Sequence, residues 1–218
     1  MPSAKSAAAG NRLWMAPVRD FDGYIFDYGG VLVHHQAEAE QARMANAAGI
    51  PVEQFSELYW GTRLDYDKGL ISGPEYWSAI GRTAGKVLTP AVVEQLTEID
   101  STTWMNFDEP MWTWIDELRG AGKRLAILSN MPSDLGEALK ARTDRMQRFD
   151  FVTLSYEVRS VKPESAIYEH CIEGIGTDPA RTIFFDDRIA NIHGAEMLGI
   201  QAAQFLDRDD VLARFRRA

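Results

Sequence analysis

A few polar residues of this chain have types and spacings that could carry out chemistry on a phosphate group. They lie in four short motifs, which occur in the order Phe26-Asp27-Tyr28-Gly29-Gly30-Val31-Leu32, Leu128-Ser129-Asn130, Val161-Lys162-Pro163 and Phe184-Phe185-Asp186-Asp187. Carboxylates can act as nucleophiles or bind a divalent cation, and an ammonium group can balance the charge of a carboxylate and a phosphate. Together the four motifs predict a phosphate-handling site.

The first motif supplies a candidate nucleophile. The phosphoryl oxygens of a phosphate ester repel anions, so an attacking carboxylate needs a cation beside it. If Asp27 attacks, it forms an aspartyl-phosphate that water later hydrolyses. Gly29 and Gly30 let the backbone turn sharply and approach a ligand, and the carbonyl of Gly29 can bind a metal without a side chain.

The remaining motifs supply charge and hydrogen-bond donors. Asp186 and Asp187 would repel each other unless a cation separates their charges, which predicts Mg²⁺ as the cofactor. The ammonium of Lys162 can balance Asp27 and the phosphate. The hydroxyl of Ser129 and the amide of Asn130 can donate to phosphoryl oxygens. The candidate catalytic residues are therefore Asp27, Ser129 and Lys162, with Ser129, Asn130 and Lys162 as candidate substrate ligands.

The pattern of apolar runs predicts the element that brings these residues together. Short apolar runs predict strands at 24–26, 124–129, 151–154, 182–185 and 201–205, and helical periodicity fills the intervals between the later ones. This alternation predicts a doubly wound, three-layer α/β fold with a parallel sheet. Strands of a parallel sheet end at one edge, so the four motifs are expected to meet there.

Between the first two motifs the pattern is helical throughout. Helices are predicted at 36–48, 52–60, 74–84 and 90–99, which indicates a small helical subdomain at 34–107 inserted into a catalytic core formed by 20–33 and 108–218. Residues 1–19 are interpreted as a disordered tail. Asp65 and Tyr66, just before a Lys68-Gly69 turn, are candidate substrate contacts.

Composition limits the classes of partner. The chain has 218 residues, of which 45% are hydrophobic, and a formal net charge of −9. That charge gives no basis for binding nucleic acid or an anionic membrane. Cys171 is the only cysteine, no apolar run reaches the length of a membrane span, and the first residues lack a secretory signal. We therefore expect a cytoplasmic protein, monomer or homodimer, with a small phosphorylated metabolite as its partner.

From about Phe21 to about Leu212 the chain resembles the haloacid dehalogenase-like (HAD) superfamily of hydrolases, on the order and types of its four motifs. The resemblance implies a mobile cap of the small four-helix type. It also implies that Asp187 binds Mg²⁺ directly and Asp186 directly or through water, with Asp27, the Gly29 carbonyl, phosphate and waters completing the shell. Asp27-Tyr28-Gly29-Gly30 is similar to an Asp-x-Gly-Asn subgroup that contains sugar 1-phosphate phosphatases.

Gly29 is a departure from the pattern of the superfamily's usual phosphatases. These carry a second Asp at this position, which protonates the leaving oxygen and then activates water. Three consequences are open: a leaving group acidic enough to need little help, such as that of a sugar 1-phosphate; a surrogate acid, such as a water molecule or His34; or no phosphatase activity.

The residues leave two alternatives to a phosphatase. A 2-haloacid dehalogenase also uses a first-motif Asp without a second one, but its reaction needs no metal, and the Asp186-Asp187 pair favours a phosphatase. A catalytically silent binding protein would have no need of a nucleophile. The sequence therefore predicts a Mg²⁺-dependent phosphatase that acts through an aspartyl-phosphate.

Overall fold

A computed structural model of the chain describes residues 20–216, so the tail predicted at 1–19 lies outside the described residues. The strands are β1 (Gly23–Phe26), β2 (Arg124–Ser129), β3 (Phe151–Leu154), β4 (Thr182–Asp186) and β5 (Gln201–Gln204). The helices before β2 are α1 (Glu38–Ala48), α2 (Val52–Gly61), α3 (Arg63–Asp67), α4 (Gly73–Thr83), α5 (Pro90–Thr103) and α6 (Glu109–Gly120). Those after it are α7 (Ser133–Arg142), α8 (Ser155–Val158), α9 (Ser165–Ile175), α10 (Ile189–Glu196) and α11 (Arg208–Phe215).

The five strands form one parallel sheet in the order β3-β2-β1-β4-β5. β1 lies at its centre, where Ile25 pairs with Ala126 on one side and with Phe184 on the other. The chain runs outward from this centre in both directions, which is the doubly wound arrangement. The predicted fold class is confirmed.

Two helical layers cover the sheet because its strands are apolar on both faces. Tyr24 and Phe26 project into a core that includes residues of α6, α7 and α11, and Ile25 projects into a second core with residues of α9 and α10. Trp114 of α6 packs edge to face on Phe26, with ring centroids 5.6 Å apart. Both cores are continuous along the sheet, so the carboxyl ends of the strands are held in fixed positions.

The helices α1 to α5 form an insertion between β1 and β2, which we call the helical insertion (residues 38–103). It has its own core, whose largest side chains are Phe55, Tyr59, Tyr66, Tyr76 and Trp77. The start of α4 is fixed by a capping box, because Ser72 accepts a hydrogen bond from the amide of Glu75 and Glu75 accepts one from the amide of Ser72. The insertion has five helices where the sequence pattern predicts four, because the single turn α3 is too short to show a periodicity.

Polar contacts seat the helical insertion on the core. The hydroxyl of Tyr66 donates to Asp134 at 2.6 Å, and Lys68 forms an ion pair with Glu164 at 2.6 Å. On the other side, Arg142 donates to both carboxylate oxygens of Glu98. These contacts hold the insertion above the carboxyl edge of the sheet. No helix within residues 20–216 has the length and apolar character needed to cross a membrane.

Candidate active site

The carboxyl ends of the three central strands open into a cavity of about 140 Å³ beneath the helical insertion. Asp27 follows β1, and its amide donates to the carbonyl of Phe185 at 2.9 Å. Ser129 ends β2, and Asp187 follows β4. All three side chains line the cavity, together with Asn130 and Lys162. The sheet therefore gathers residues that are far apart in sequence.

Lys162 lies at the centre of the charged groups. Its Nζ is 2.7 Å from Oδ1 of Asp27 and 2.7 Å from Oδ2 of Asp186, and it donates to the carbonyl of Leu128 at 2.9 Å. The side chain is 1% exposed. Burial opposes the charge of Lys162, but the two adjacent carboxylates outweigh this effect and raise its pKa. The ammonium is therefore held charged beside Asp27.

Asp186 is fully buried and is held from several sides. Its Oδ1 accepts from the amide of Arg188 at 2.8 Å, and the side-chain amide of Asn191 donates to both of its oxygens at 3.0 Å. Its Oδ2 also accepts from Lys162. The oxygens of Asp186 therefore already have protein partners, whereas Asp187 is the carboxylate of the pair that lines the cavity.

Asp27, Asp186 and Asp187 form a compact cluster, with one oxygen of each within 4.8 Å of the others. Burial, partly offset by Lys162, raises the pKa of Asp27 to about 7. Burial and the charge of Asp186 likewise raise the pKa of Asp187. Three carboxylates against one ammonium leave an excess of negative charge, which a divalent cation would neutralise. Their oxygen donors fit Mg²⁺, and Asp27 and Asp187 are placed to hold it.

The turn after Asp27 is shaped by glycine. Gly30 has φ +75°, and a Cβ there would lie 2.5 Å from Cε1 of His35. The backbone and the imidazole therefore approach each other as only glycine allows. Gly29 lines the cavity, as expected for a residue whose carbonyl could bind a metal.

Besides the backbone donor that the sequence suggests, Asn130 has a side chain that binds the backbone of Lys162. Its Oδ1 accepts from the amide of Lys162 at 2.8 Å, and its Nδ2 donates to the carbonyl of the same residue at 3.2 Å. This two-way bond joins the end of β2 to the loop that carries Lys162. Asn130 therefore positions the lysine as well as lining the cavity.

The model of the haloacid dehalogenase-like hydrolases matches residues 21–199 of this chain. The chain belongs to this family. The predicted resemblance is confirmed. The match includes Gly29, so the absence of a second Asp at this position does not place the chain outside the family.

Relatives of this hydrolase include phosphatases. It is 26% identical over 187 residues to a sesquiterpene phosphatase of Aspergillus oryzae, covering 86% of this chain and 91% of the relative. It is 24% identical over 197 residues to a D-ribitol-5-phosphate phosphatase of Bacteroides thetaiotaomicron, covering 83% and 89%. A crystal structure of a HAD family enzyme from the same bacterium, a variant in complex with magnesium and inorganic phosphate, superposes with TM-score 0.70 at 25% identity, covering 84% and 93%.

Two predicted substrate contacts of the hydrolase do not lie in the cavity. Asp65 is exposed on α3, and Tyr66 is buried in the core of the insertion, where its ring stacks on Tyr76 with centroids 4.3 Å apart. Arg63 and Asp67, on either side of this pair, line the cavity instead. Because α3 is a helical turn, positions 63 and 67 share a face that excludes position 65.

The cavity-facing residues of the insertion were not identified from the sequence. Trp60 of α2 and Trp104, after α5, line the cavity with Arg63 and Asp67. The Nε of Arg63 donates to Asp67 at 2.9 Å, and its Nη1 donates to Asp100 at 3.2 Å. The i, i+4 spacing of Arg63 and Asp67 is the one sequence signal that could have indicated a shared face.

The two histidines after the first motif differ in position. Nδ1 of His34 is 3.9 Å from Asp108, and His34 is not among the residues that line the cavity. Nε2 of His35 lies 3.4 Å from Oδ2 of Asp187, at the cavity wall. The structure therefore does not bring His34, the surrogate acid suggested by the sequence, to the site.

Proposed function

We propose that this hydrolase is a Mg²⁺-dependent phosphatase that hydrolyses a small phosphorylated metabolite through an aspartyl-phosphate on Asp27. The observation that carries the proposal is the position of Lys162, whose Nζ is 2.7 Å from both Asp27 and Asp186, with Asp187 at the same cavity edge. A charged lysine among carboxylates at a cavity wall suits an anionic substrate. The phosphatases among its relatives support the same reaction class.

The chain's own residues account for the first step. An oxygen of Asp27 attacks phosphorus, the new O–P bond forms, and the bond to the leaving oxygen breaks with its electron pair on that oxygen. Lys162 balances the charge of Asp27 and of the phosphoryl group, and the hydroxyl of Ser129 donates to a phosphoryl oxygen. Mg²⁺, held by Asp27 and Asp187, would neutralise charge on the phosphoryl oxygens and orient them.

Water completes the cycle. Its oxygen attacks the phosphorus of the aspartyl-phosphate, the bond to Asp27 breaks, and inorganic phosphate leaves with the carboxylate restored. Gly29 offers no carboxyl group to take the proton from this water, so the proton passes to solvent or to the phosphoryl group. We infer that hydrolysis of the intermediate is the slower of the two steps.

The helical insertion would act as a cap in this reaction. It closes the cavity from above through residues such as Trp60 and Arg63, so a substrate must enter before the insertion is seated. Excluding water during the first step favours transfer to Asp27 and strengthens the electrostatic contacts in the site.

The acidic cluster favours a phosphatase over a dehalogenase. Displacement of a halide from carbon needs no cation, and a cavity wall with Asp27 and Asp187 would repel the carboxylate of a haloacid. With a divalent cation the same cluster attracts a phosphate dianion.

Removal of the metal tests the proposal. We expect phosphate release from 4-nitrophenyl phosphate in millimolar Mg²⁺, a loss of at least about 100-fold in excess chelator, and recovery when Mg²⁺ is restored, because charge neutralisation at a phosphoryl group contributes several kcal/mol. Release that is unchanged by the chelator would contradict the proposal. Chloride release from 2-chloropropionate, without phosphate release from any ester, would establish the dehalogenase instead.

A further inference from the structure

Gly29 packs against the ring of Trp104. A Cβ at position 29 would lie 3.2 Å from Cζ3 of Trp104, closer than an ordinary van der Waals contact, and 3.7 Å from Cη2. The benzenoid edge of the indole therefore occupies the space into which a side chain at position 29 would project. Position 29, two residues after Asp27, therefore faces an apolar ring that would have to shift slightly to admit a Cβ.

The ring of Trp104 is held in this position. Trp104 is 8% exposed, and its carbonyl accepts a hydrogen bond from the hydroxyl of Tyr28 at 2.8 Å. Trp60 packs on it edge to face, with ring centroids 6.4 Å apart and an interplanar angle of 83°. We call Trp60 and Trp104 the aromatic wall of the cavity.

The aromatic wall has apolar surface that nothing in residues 20–216 covers completely. Trp60 is 52% exposed although it is a large apolar side chain at the cavity wall. Met131 and Leu135 line the same cavity from the core side, although little of either side chain is exposed. Such a surface binds an apolar group of a ligand favourably, because covering it removes apolar area from water.

The charged groups of the insertion that line the cavity, Arg63 and Asp67, are already paired, whereas the buried indole nitrogen of Trp104 has no hydrogen-bond partner within residues 20–216. Arg63 donates to Asp67 and to Asp100, and Asp100 also accepts from Tyr59 at 2.6 Å. A polyol such as a sugar would have to compete for these groups. The insertion therefore offers the leaving group the aromatic faces of Trp60 and Trp104 and the unpartnered N–H of Trp104, rather than free charged groups.

We propose that the aromatic wall binds the leaving group of the substrate, and that the substrate is a phosphate monoester of a phenol. The inference rests on the proposed phosphatase function. A phenolic oxygen, with an ordinary pKa of about 10, leaves as an anion more readily than an aliphatic alkoxide and needs no acid at position 29. When Asp27 attacks phosphorus, the P–O bond breaks, the phenolate keeps the electron pair, and it then takes a proton from water.

The experiment compares three esters in Mg²⁺: phenyl phosphate, cyclohexyl phosphate, which has a ring of similar size on an aliphatic oxygen, and glucose 1-phosphate, which has an acidic but polar leaving group. We expect kcat/KM for phenyl phosphate to exceed that for cyclohexyl phosphate by at least about 100-fold and that for glucose 1-phosphate by at least about 10-fold. A wild-type preference for either of the other two esters overturns the inference.

Trp60→Ala separates recognition of the leaving group from the chemistry, and its exposed position makes it compatible with folding. We expect kcat/KM for phenyl phosphate to fall about 10-fold more than that for glucose 1-phosphate, because a loss of cavity closure affects both esters whereas the loss of the aromatic contact affects only the first. Leu64→Ala is the matched control, because Leu64 is 57% exposed on the same insertion and does not line the cavity. Equal losses on both esters in Trp60→Ala overturn the inference.

A second pair of variants tests the contact between position 29 and the wall. Gly29→Asp alone should give no gain on cyclohexyl phosphate, because the ring of Trp104 crowds the new side chain from its Cβ outward. Gly29→Asp combined with Trp104→Ala should be at least about 10-fold more active on this ester than Trp104→Ala alone. If Gly29→Asp exceeds wild type on cyclohexyl phosphate by as much as the double variant exceeds Trp104→Ala, the ring of Trp104 does not obstruct a side chain at position 29, and this part of the inference fails.

The outcomes distinguish a failure of the proposed phosphatase function from a failure of the inference about its leaving group. If no ester, including 4-nitrophenyl phosphate, releases phosphate in Mg²⁺, the proposed function fails. If phosphate is released but phenyl phosphate is not preferred, the phosphatase stands and the inference about its leaving group fails.

Discussion

Asp27→Asn is expected to abolish turnover while leaving the fold intact. The amide oxygen of Asn can still accept the hydrogen bond that the amide of Tyr28 donates to Asp27 at 2.7 Å. Lys162 keeps its contacts with Asp186 and with the carbonyl of Leu128. An amide is not a nucleophile toward phosphorus, so kcat should fall by at least about 10⁴-fold, as expected when a residue that forms the covalent intermediate is removed.

The variant also separates catalysis from stability. The substitution removes one negative charge from a cluster that has an excess of them, so the free energy of unfolding should change by less than about 1 kcal/mol. Asp65→Asn is the matched control, because Asp65 is exposed and does not line the cavity, and it should keep wild-type activity. Activity above about 1% of wild type in a folded Asp27→Asn enzyme would remove Asp27 from the mechanism.

Lys162→Met is expected to damage both stability and rate. Methionine has a similar length but no charge, so Asp27 and Asp186 would face each other in a buried site without their shared cation. Breaking a buried ion pair in this way costs about 3–5 kcal/mol. The loss of a charge that stabilises the phosphoryl group should lower kcat by about 10²- to 10⁴-fold.

The destabilisation should depend on pH with a definite sign. Without Lys162, the pKa of Asp27 rises further in the folded state, because the effect of burial is no longer opposed by the ammonium. The penalty is then fully present above this raised pKa and is relieved as pH falls below it and Asp27 takes up a proton. Urea unfolding in chelator should therefore show a larger loss of stability at pH 8 than at pH 5.5.

A matched lysine provides the control for Lys162. Lys68 also forms an ion pair with a glutamate, at 2.6 Å, but that partner, Glu164, is 45% exposed. Lys68→Met should cost less than about 1 kcal/mol, because ion pairs in contact with solvent are weak. Equal losses of unfolding free energy in Lys162→Met and Lys68→Met would show that the ion pairs of Lys162 stabilise the fold no more than a solvent-exposed ion pair does.

The residues contributed by the sheet were predictable because a parallel sheet collects its strand ends by construction. Asp27, Ser129 and Asp187 each follow an apolar run long enough for a buried strand, and this pattern alone places them at one edge. The predicted strands and the predicted three-layer arrangement agree with the structure for the same reason.

The residues contributed by the helical insertion were not predictable in this way. Which face of a short helix lies over the cavity depends on how the insertion packs on the core, through contacts such as Tyr66 with Asp134. Neither residue of that contact has a local pattern that indicates it. An aromatic side chain in a helical segment equally fits a core position, as Tyr59 shows, and a cavity wall, as Trp60 shows.

The absence of an acid at position 29 is explained only by the structure. From the sequence Gly29 is a missing carboxyl group, whereas the structure shows that the ring of Trp104, 75 positions away, packs against this position. No local spacing relates the two residues, since their contact depends on where the end of α5 lies relative to the turn after β1.

The measurement that tests the central claim most directly is mass spectrometry of the enzyme quenched in acid during turnover of 4-nitrophenyl phosphate with Mg²⁺. The first step needs no acid with this leaving group, and the second lacks a base at Gly29, so the intermediate should accumulate. We expect one phosphoryl group on the peptide that contains Asp27, removable by hydroxylamine and absent from Asp27→Asn. Continued phosphate release with Asp27 unmodified, or with the phosphoryl group on another residue, would contradict the account.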